Sequence, residues 1–378
     1  MNEPKIRFQG FEGEWEQRKV SEVAPLQRGF DLPFSQMEEG EYPVVMSNGI
    51  GGSHKDYKVK GPGVITGRSG TIGKVHYIEG DYWPHNTSLW VTDFKGNYPK
   101  FIYHLYQRID LSQFGSGSGV PTLNRNDVHD SNVLVPSRDE QMQISTMLDH
   151  LDHLIILRQK KYDEIKKFKK YMLHKMFPKD GKRIPEVRFS GFTDAWEQRK
   201  LGEVFEQTTN FVNLDEGKME LWSLTVEEGL TPKSERYNRE FLVKKDTNFK
   251  EVRPGDIVYN PMNMTLGAVG YNGMAKSVAV SGYYTTMVTN AGYDSYYINT
   301  WLKSPYAISL YKTFATGSLK EKQRVQFPTL SIIPTVFPES EEQKKIGLFF
   351  KRLDVLITLH QRKQNSMKNV LKHAQILI

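Results

Sequence analysis

The residues with the greatest potential for chemistry lie in short glycine-rich turns, where they could bind phosphate or a nucleotide. Residues 67–74 read GRSGTIGK, but a nucleotide-binding phosphate loop needs Gly at position 68 and Ser or Thr at position 75. The chain has Arg68 and Val75 there, so we interpret this stretch as a turn in a β domain. Residues 115–119 read GSGSG, which lacks the G-x-G-x-x-G spacing of a dinucleotide site and predicts a flexible loop.

Methyl transfer and metal catalysis are disfavoured on similar grounds. Residues 260–263 read NPMN, without the second proline and the aromatic residue of the N/D-P-P-aromatic motif of amino-methyltransferases. The ten histidines show no H-E-x-x-H spacing, and His150 and His153 beside Asp149 and Asp152 are typical of a polar helix face. Cysteine is absent, which excludes disulfides, thiolate nucleophiles and cysteine-ligated zinc. We therefore predict no catalytic residue, metal site or cofactor in this chain.

Length and charge narrow the class of protein. A chain of 378 residues predicts two or three domains, without a secretion signal or a spanning helix, and this favours a cytoplasmic protein. The formal net charge is +7, which favours an anionic partner such as nucleic acid. Residues 158–183 hold eleven Lys or Arg against three Asp or Glu, and residues 351–378 hold six against one. These segments either contact partner subunits or DNA phosphates, or they are solvated helix faces.

The sequence contains an internal repeat, in which two sets of motifs occur in the same order. Residues 4–23 and 185–204 share RF-x-GF-x3-WEQRK and are identical at twelve of twenty positions, at a constant offset of 181. Residues 136–163 and 338–365 share P-x3-EQ and a later Leu-Asp pair, at an offset of 202. Each copy thus has an opening motif, a variable middle and a closing segment, and such a repeat must be recognised before a fold is assigned.

The variable middles predict strands. Both are rich in Gly, Tyr and β-branched residues in short runs such as GVITG and DIVYN, bounded by Gly, Pro and Asn. Short helices are predicted near residues 100–108 and 296–312. We interpret each middle as one α+β domain with a mainly antiparallel sheet.

The closing segments predict two long helices with a shared heptad seam. The apolar seam positions are Ile144, Leu148, Leu151, Ile155 and Ile165 in the first helix, and Ile346, Phe350, Leu353, Ile357 and Leu371 in the second. Arg158 and His360 interrupt the seam at equivalent positions. The helices pack on each other or on a partner if the seam is a coiled coil, and the alternative is that each packs singly on a globular core.

These elements predict the domain organisation. We predict one α+β domain in residues 1–135, a first spacer helix in 136–177, a linker and second α+β domain in 178–337, and a second spacer helix in 338–378. If the helices pair in antiparallel fashion, the α+β domains are related by a pseudo-twofold axis and are separated by the coiled coil. Such a chain, without a catalytic signature, suits the reading of two separated determinants on one elongated ligand, and DNA fits best.

At these residues the chain resembles the specificity (S) subunit of type I restriction-modification systems. The resemblance rests on RF-x-GF-x3-WEQRK before each middle and P-x3-EQ-x2-I-x6-LD-x2-I at the start of each long helix. It implies a non-catalytic subunit with two target-recognition domains, each reading half of a bipartite asymmetric DNA site. It also implies docking of two methyltransferase subunits, which use S-adenosylmethionine to modify adenine N6, and of restriction subunits, which use ATP and Mg²⁺.

Candidate DNA contacts follow from residue type and from position on turns, because Arg, Lys, Asn, Gln and hydroxyl side chains bond base edges and phosphates. In the first domain the candidates are Arg68, Ser69, Thr71, Lys74, Asn86, Thr87, Asn124, Arg125 and Asn126. In the second they are Asn260, Asn263, Tyr283, Tyr284, Lys320, Lys322, Gln323 and Arg324. Two other classes of function stay open, an interaction scaffold for protein partners and an enzyme with an unrecognised site.

Overall fold

A computed structural model describes residues 4, 6–116, 119–179, 181–213, 219–227, 229–233, 248–317 and 323–377, with side chains as far as residue 375. The chain divides into two compact units. Unit 1 comprises Met1–Lys160 and Gln361–Ile378, and unit 2 comprises Lys161–His360. Each unit therefore contains one variable middle and a part of each long helix.

Unit 1 begins with the opening motif and ends its globular part at the first long helix. Its helices are α1 (Val20–Val23), α2 (Pro99–Arg108), α3 (Arg125–His129) and the start of α4 (Arg138–Lys175), with 3-10 turns at Phe34–Gln36 and Leu111–Phe114. Its strands are β1 (Glu16–Lys19), β2 (Leu26–Arg28), β3 (Tyr42–Met46), β4 (Gly49–His54), β5 (Gly63–Gly67), β6 (Val75–Ile78), β7 (Trp83–Pro84), β8 (Ser88–Val91), β9 (Gly115–Ser116), β10 (Thr122–Leu123) and β11 (Asn132–Val135).

The sheets of unit 1 are small and mainly antiparallel. The order is β2-β8-β5-β6 in a four-stranded sheet and β4-β3-β7 in a three-stranded one, in which β3 and β7 are parallel. The pairs β1-β11 and β9-β10 complete the unit. Since β1 belongs to the opening motif and β11 immediately precedes α4, their pairing closes the variable middle into one domain.

Unit 2 repeats this plan. Its helices are α5 (Leu201–Val204), α6 (Ser295–Leu302), α7 (Pro305–Phe314), α8 (Phe327–Ser331) and the start of α9 (Ser340–Leu377), with a 3-10 turn at Met264–Leu266. Its strands are β12 (Glu197–Lys200), β13 (Phe205–Thr208), β14 (Phe211–Val212), β15 (Trp222–Thr225), β16 (Gly229–Pro232), β17 (Phe249–Val252), β18 (Ile257–Tyr259), β19 (Val269–Tyr271), β20 (Val278–Ser281), β21 (Thr285–Thr289) and β22 (Pro334–Phe337).

The sheets of unit 2 follow those of unit 1 in order. The sheet β13-β21-β18-β19 corresponds to β2-β8-β5-β6, and the pair β12-β22 corresponds to β1-β11. The sheet β14-β17-β20 and the hairpin β15-β16 complete the unit. The helical piece predicted near 296–312 is wrong as one helix, because Ser304 caps a new helix by accepting a hydrogen bond from the Ala307 N–H, 3.1 Å away, and Pro305 starts that helix.

The seam of the long helices is buried at its domain ends. In unit 1 Ile144 and Leu148 lie in the core, and Leu371 and Ala374 of α9 pack against the same core. In unit 2 the buried positions are Ile346, Phe350 and Leu353, and Ile165 of α4 packs against them. The seam positions Leu151, Ile155 and Ile357 are half-buried. Both interpretations of the seam therefore apply, since each helix packs on a domain core and also on the other helix.

The two helices run antiparallel within unit 1. The α9 residue Ala374 packs near the start of α4, while Gln364 donates a hydrogen bond to Gln159 further along it. Within unit 2 the contacts are an aromatic pair, Phe168 with Phe349, and an ion pair between Lys169 and Asp354. The predicted α+β class with an antiparallel helix pair is thus confirmed. In the part of the chain that the structure describes, no helix is long and apolar enough to cross a membrane.

Candidate nucleic-acid interface

The most strongly repeated residues form a set of equivalent contacts in the two units, which we call the framework contacts. In unit 1 the Arg7 guanidinium donates two hydrogen bonds of 2.9 Å to the carboxylate of Glu140. In unit 2 Arg188 donates two of 2.7 Å to Glu342. Glu140 and Glu342 are 1% and 0% exposed, so each charge is removed from water and needs its partner. The RF and EQ motifs therefore join the opening motif to the long helix.

The glutamine of each EQ motif completes the framework contacts. Gln141 donates to the Pro136 carbonyl over 3.0 Å and accepts from the Tyr98 N–H over 2.8 Å. Gln343 makes the matching bonds to the Pro338 carbonyl and the Asp294 N–H. These bonds fix the helix start against the globular part of its unit. The repeated motifs thus have the same structural role in both units.

The candidate residues of unit 1 converge where the loop after β5 meets the segment before α3. The Leu123 N–H donates to the Arg68 carbonyl over 2.7 Å, and Ser69 bridges Thr122. Arg68, Asn124 and Arg125 line one open cleft of ≈ 410 Å³, together with Arg28 of β2. The side chain of Asn124 accepts a hydrogen bond from the Asn126 N–H and so caps α3. Three cationic side chains in one cleft suit an anionic or base-edge ligand.

A second polar group adjoins this cleft. Asp31 accepts hydrogen bonds from Asn86 and, at 2.7 Å, from Arg28. The Asn86 amide, more than the Arg28 guanidinium, lowers the pKa of the Asp31 carboxyl, so that carboxyl stays charged. The Arg68 guanidinium reaches the Asn86 carbonyl at 3.5 Å. Asn86 thus belongs with the cleft, and Asp31 orients Arg28.

The other unit 1 candidates are placed differently. Thr87 is half-buried, and its hydroxyl is 2.9 Å from His85 Nδ1. Thr71 closes the loop against Gly67, where an added Cβ would lie 1.7 Å from the Thr71 carbonyl oxygen, so only glycine fits there. The exposed Lys74 is outside the cleft lining. These three residues shape or flank the loop.

In unit 2 the loop after β18 meets the segment before α8 in the same way, and this contact brings one group of candidates together. The Val325 N–H donates to the Pro261 carbonyl over 2.9 Å, at the position equivalent to the Leu123–Arg68 bond. The loop containing Asn260 and Asn263 therefore lies beside the strand-like segment of Gln323 and Arg324. The Asn260 side chain accepts from the Met262 N–H at 3.0 Å, whereas Asn263 is exposed. Lys320 and Lys322 lie outside the described residues.

The two tyrosines of unit 2 form a separate group on the turn between β20 and β21. Tyr283 is 81% exposed, and the Tyr284 carbonyl accepts a 2.7 Å hydrogen bond from Lys250. Burial lowers the pKa of Lys250, whose ammonium lies 5.9 Å from the exposed ring of Phe211. Exposed aromatic rings beside a cation are suited to stacking on bases. Sequence reasoning missed Lys250 and Phe211, as it missed Arg28.

Comparison with known proteins finds a similarity over the first part of the chain. The sequence model described as "Type I restriction modification DNA specificity domain" matches residues 12–167. Residues 12–167 are thus similar to this family of specificity domains. The type I restriction enzyme EcoprrI specificity subunit of Escherichia coli is 24% identical over 155 residues, which are 39% of this chain and 39% of that protein. The match thus spans about two fifths of the curated relative, and it confirms the resemblance drawn from the repeated motifs.

Solved structures extend the likeness in fold to the whole chain. The S subunit of a type I restriction-modification system from M. genitalium has a TM-score of 0.64 at 14% identity, over 99% of this chain and 98% of that one. A chain from a study titled "Structural basis underlying complex assembly andconformational transition of the type I R-M system" has a TM-score of 0.55 at 12% identity, with 96% of both chains covered. The likeness in fold to these solved chains therefore extends over both units.

The signals for the missed residues were weak. Arg28 is the last residue of the short strand β2 and follows the opening motif closely, whereas the candidates lie on turns further along the chain. Phe211 and Lys250 come together only through the pairing of β14 with β17, which are far apart in sequence. Among the described residues, no group of three or more His, Asp or Glu could hold a metal ion.

Proposed function

We propose that this chain is the non-catalytic DNA sequence-recognition subunit of a type I restriction-modification complex. Each unit reads one half of a bipartite asymmetric duplex target, with the cleft of Arg28, Arg68 and Arg125 in unit 1 and the Asn263–Arg324 loops in unit 2. The other sequence-derived candidates around these loops contact phosphates or support the loops. The long helices set the gap between the half-sites.

One observation carries this proposal. Both units hold the loop after β5 or β18 against the segment before α3 or α8 with an equivalent backbone hydrogen bond, but the side chains on these loops differ. Arg68 and Thr122 of unit 1 correspond to Pro261 and Arg324 of unit 2 in that crossing. Hydrogen bonds to base edges depend on side-chain type. Two units with the same backbone arrangement but different loop side chains are therefore suited to reading two different sequences.

The partners and cofactors are part of the proposal. We infer that the chain binds double-stranded DNA and docks two methyltransferase subunits and the restriction subunits. S-adenosylmethionine, ATP and Mg²⁺ belong to those subunits, and this chain binds none of them. The basic segments 158–183 and 351–378 support contact with DNA phosphates or partner subunits, since such contacts need positive charge without base specificity.

A domain exchange tests the function. Residues 24–135 are replaced by the equivalent stretch of a related specificity subunit, and the chimera is produced in a host with the methyltransferase subunits. We expect methylome sequencing to show one half-site switched to that of the donor, with the other half-site and the gap unchanged. Strand β1 stays in place, and its pairing with a donor β11 requires only backbone hydrogen bonds in the same register.

The reverse exchange of residues 205–337 is the matched control and should switch the other half-site alone. A change in both half-sites after either exchange contradicts independent reading by the two units. Binding of the assembled complex to duplex DNA should weaken steeply with salt, whereas a protein-binding scaffold would show no salt-dependent DNA binding.

A further inference from the structure

A buried histidine joins the loops of unit 1 that carry its candidate DNA contacts. His85 is 7% exposed and lies between β7 and β8, directly before the candidates Asn86 and Thr87. Its Nε2 lies 3.1 Å from the Leu32 carbonyl oxygen, and its Nδ1 lies 2.9 Å from the Thr87 hydroxyl. Since a carbonyl only accepts, Nε2 carries the ring hydrogen and donates it, and Nδ1 is left to accept. Both ring nitrogens are thus bonded within the protein, and the ring orientation is fixed.

The Nδ1 side of the His85 ring supports the loop of Arg68. Nδ1 accepts from the Thr87 hydroxyl and also from the Thr87 N–H, over 3.3 Å. The same hydroxyl accepts from the Ser47 N–H over 3.4 Å. The Thr87 carbonyl accepts hydrogen bonds from the Arg68 N–H over 2.8 Å and from the Ser69 N–H over 3.1 Å. The histidine therefore fixes Thr87, and Thr87 fixes the loop of Arg68.

The Nε2 side of the ring supports the segment after β2. Leu32, whose carbonyl accepts from Nε2, is buried and follows Asp31, the residue that orients Arg28. The Phe30 N–H donates to the Pro84 carbonyl over 2.8 Å, so the two segments are joined on both sides of Asp31. One histidine side chain thus links the segments of the two cleft arginines, which are far apart in sequence.

Unit 2 fixes its equivalent turn in another way. The corresponding strands β8 and β21 begin at Ser88 and Thr285, so His85 corresponds to Gly282, which has no side chain. The turn before β21 is held instead by Lys250, whose ammonium donates to a carbonyl of that turn over 2.7 Å. A change at His85 should therefore affect unit 1 alone.

We propose that His85 is a positioning residue for sequence recognition by unit 1. Because it is buried, it contacts no base itself and acts through Leu32 and Thr87 on the arginines of the cleft. A binding site reaches its productive geometry when supporting hydrogen bonds hold its side chains to within about 0.5 Å. The inference rests on the proposed function, because it requires that the cleft contacts a DNA half-site.

The experiment uses the full chain assembled with its methyltransferase subunits. Its binding is measured to duplexes that contain the target found by methylome sequencing, or that target with a single-base change. His85→Phe keeps a ring of similar size and removes both ring hydrogen bonds. It should lower the discrimination against wrong bases about tenfold in the half-site of unit 1, the loss expected when one good base contact is misplaced. Discrimination in the other half-site should not change, nor should the affinity for random-sequence duplex, which depends on phosphate contacts.

Two conservative variants separate the two sides of the ring. An Asn oxygen can replace Nδ1 as the acceptor for an N–H two residues along the chain, and a Gln amide nitrogen can replace Nε2 as the donor. His85→Asn should therefore recover discrimination at the bases whose recognition Arg68→Ala abolishes. His85→Gln should recover it at the bases whose recognition Arg28→Ala abolishes. Both variants take over the test if the Tm of His85→Phe shows that this variant does not fold.

His54→Phe is the matched control in the same unit. His54 is also 7% exposed, but its Nδ1 bonds the backbone of Asp56, two residues along, rather than another segment. His54→Phe should leave discrimination in both half-sites unchanged.

The proposal is overturned if His85→Phe keeps the parent's discrimination, if it loses discrimination equally in both half-sites, or if His54→Phe causes the same loss. A loss that neither His85→Asn nor His85→Gln recovers would show that the ring only fills space in the core. A parent complex that binds all duplexes alike would contradict the proposed function, and this inference with it.

Discussion

The two units share their framework contacts residue for residue but differ in what surrounds them. Arg188 and Glu342 are enclosed by an aromatic core that includes Trp196 and Phe177. Arg7 and Glu140 make the same two bonds, yet Trp15 adds no bond to Glu140. An identical motif can therefore carry an additional bond in one copy that the other copy lacks. The repeated sequence specifies the contact, and the unrepeated neighbours decide how strongly it is supported.

The largest difference should come from removing the buried glutamates. Glu342→Ala leaves the Arg188 guanidinium without its partner and the Trp196 N–H without an acceptor, at a cost of about 3–5 kcal/mol in the free energy of unfolding. Glu140→Ala should cost about 1–2 kcal/mol less, because no tryptophan hydrogen bond is removed. Urea denaturation measures both changes. The exposed Glu341→Ala is the control and should leave the free energy of unfolding essentially unchanged. An equal loss in the free energy of unfolding for Glu342→Ala and Glu140→Ala would show that the two framework contacts are equally well supported by their surroundings.

The next effect concerns the loops of unit 1. Arg28→Ala and Arg68→Ala should each cost about 1–3 kcal/mol in binding to the half-site that unit 1 reads, and should relax its sequence preference. The half-site read by unit 2 should keep its preference. Binding of the assembled complex to duplexes with single-base changes gives the measurement. Lys95→Ala, on an exposed turn of the same unit, is the matched control. A loss spread equally over both half-sites would mean that these arginines bind phosphates.

Sequence alone was sufficient for the parts of the fold that depend on local patterns. The repeated motifs, the two long helices and the short strands follow from spacing and residue type. The break before Pro305 was missed, although Ser-Pro is a helix-start signal, because the apolar pattern continues through it. The ion pair of Arg7 with Glu140 joins residues 133 apart, and no periodicity predicts such a partner.

The candidate site was predictable only in part, for the same reason. Arg68 and Asn124 are candidates because they are polar residues on turns. Their convergence depends on the hydrogen bond between Leu123 and Arg68, which no local pattern predicts. Thr87 has the residue type of a base contact but bonds His85 instead. Residue type identifies which side chains could bond a base edge. Tertiary contacts decide which of these side chains are free of bonds within the protein and can reach a ligand.

A uniform effect is expected from the basic segment of α4. Changing Lys166, Lys167, Lys169 and Lys170 together to Gln should weaken DNA binding or subunit assembly equally for all sequences. Removing each lysine–phosphate interaction should reduce the slope of log affinity against log salt by about one. Lys169 already pairs with Asp354, so it should contribute least. The quadruple Arg variant keeps the charge and should bind as the parent does. An altered methylation sequence would show that these lysines read bases.

The smallest effect is a pH dependence confined to unit 1. His129 Nε2 accepts a hydrogen bond from the Leu26 N–H over 2.8 Å, so the folded state requires the neutral ring. Burial, aided by Arg125 and opposed by Asp130, lowers the pKa of His129 below its ordinary value of 6.5. The unfolded chain therefore binds the proton more tightly, and stability is lost as pH falls through 6.5 towards the lower folded pKa. Ser331 occupies the equivalent position in unit 2 and does not titrate. Because His129 is partly exposed, the loss should stay below about 1 kcal/mol.

Hydrogen exchange at pH 7.5 and 5.5, corrected for intrinsic rates, should show lower protection around β2 and α3 at the lower pH, but not around α8. His129→Gln, whose side-chain oxygen can accept the same bond, should reduce the change, and the rest should come from His76, whose pKa burial also lowers. Equal changes in the two units would assign the pH response to groups that both units contain.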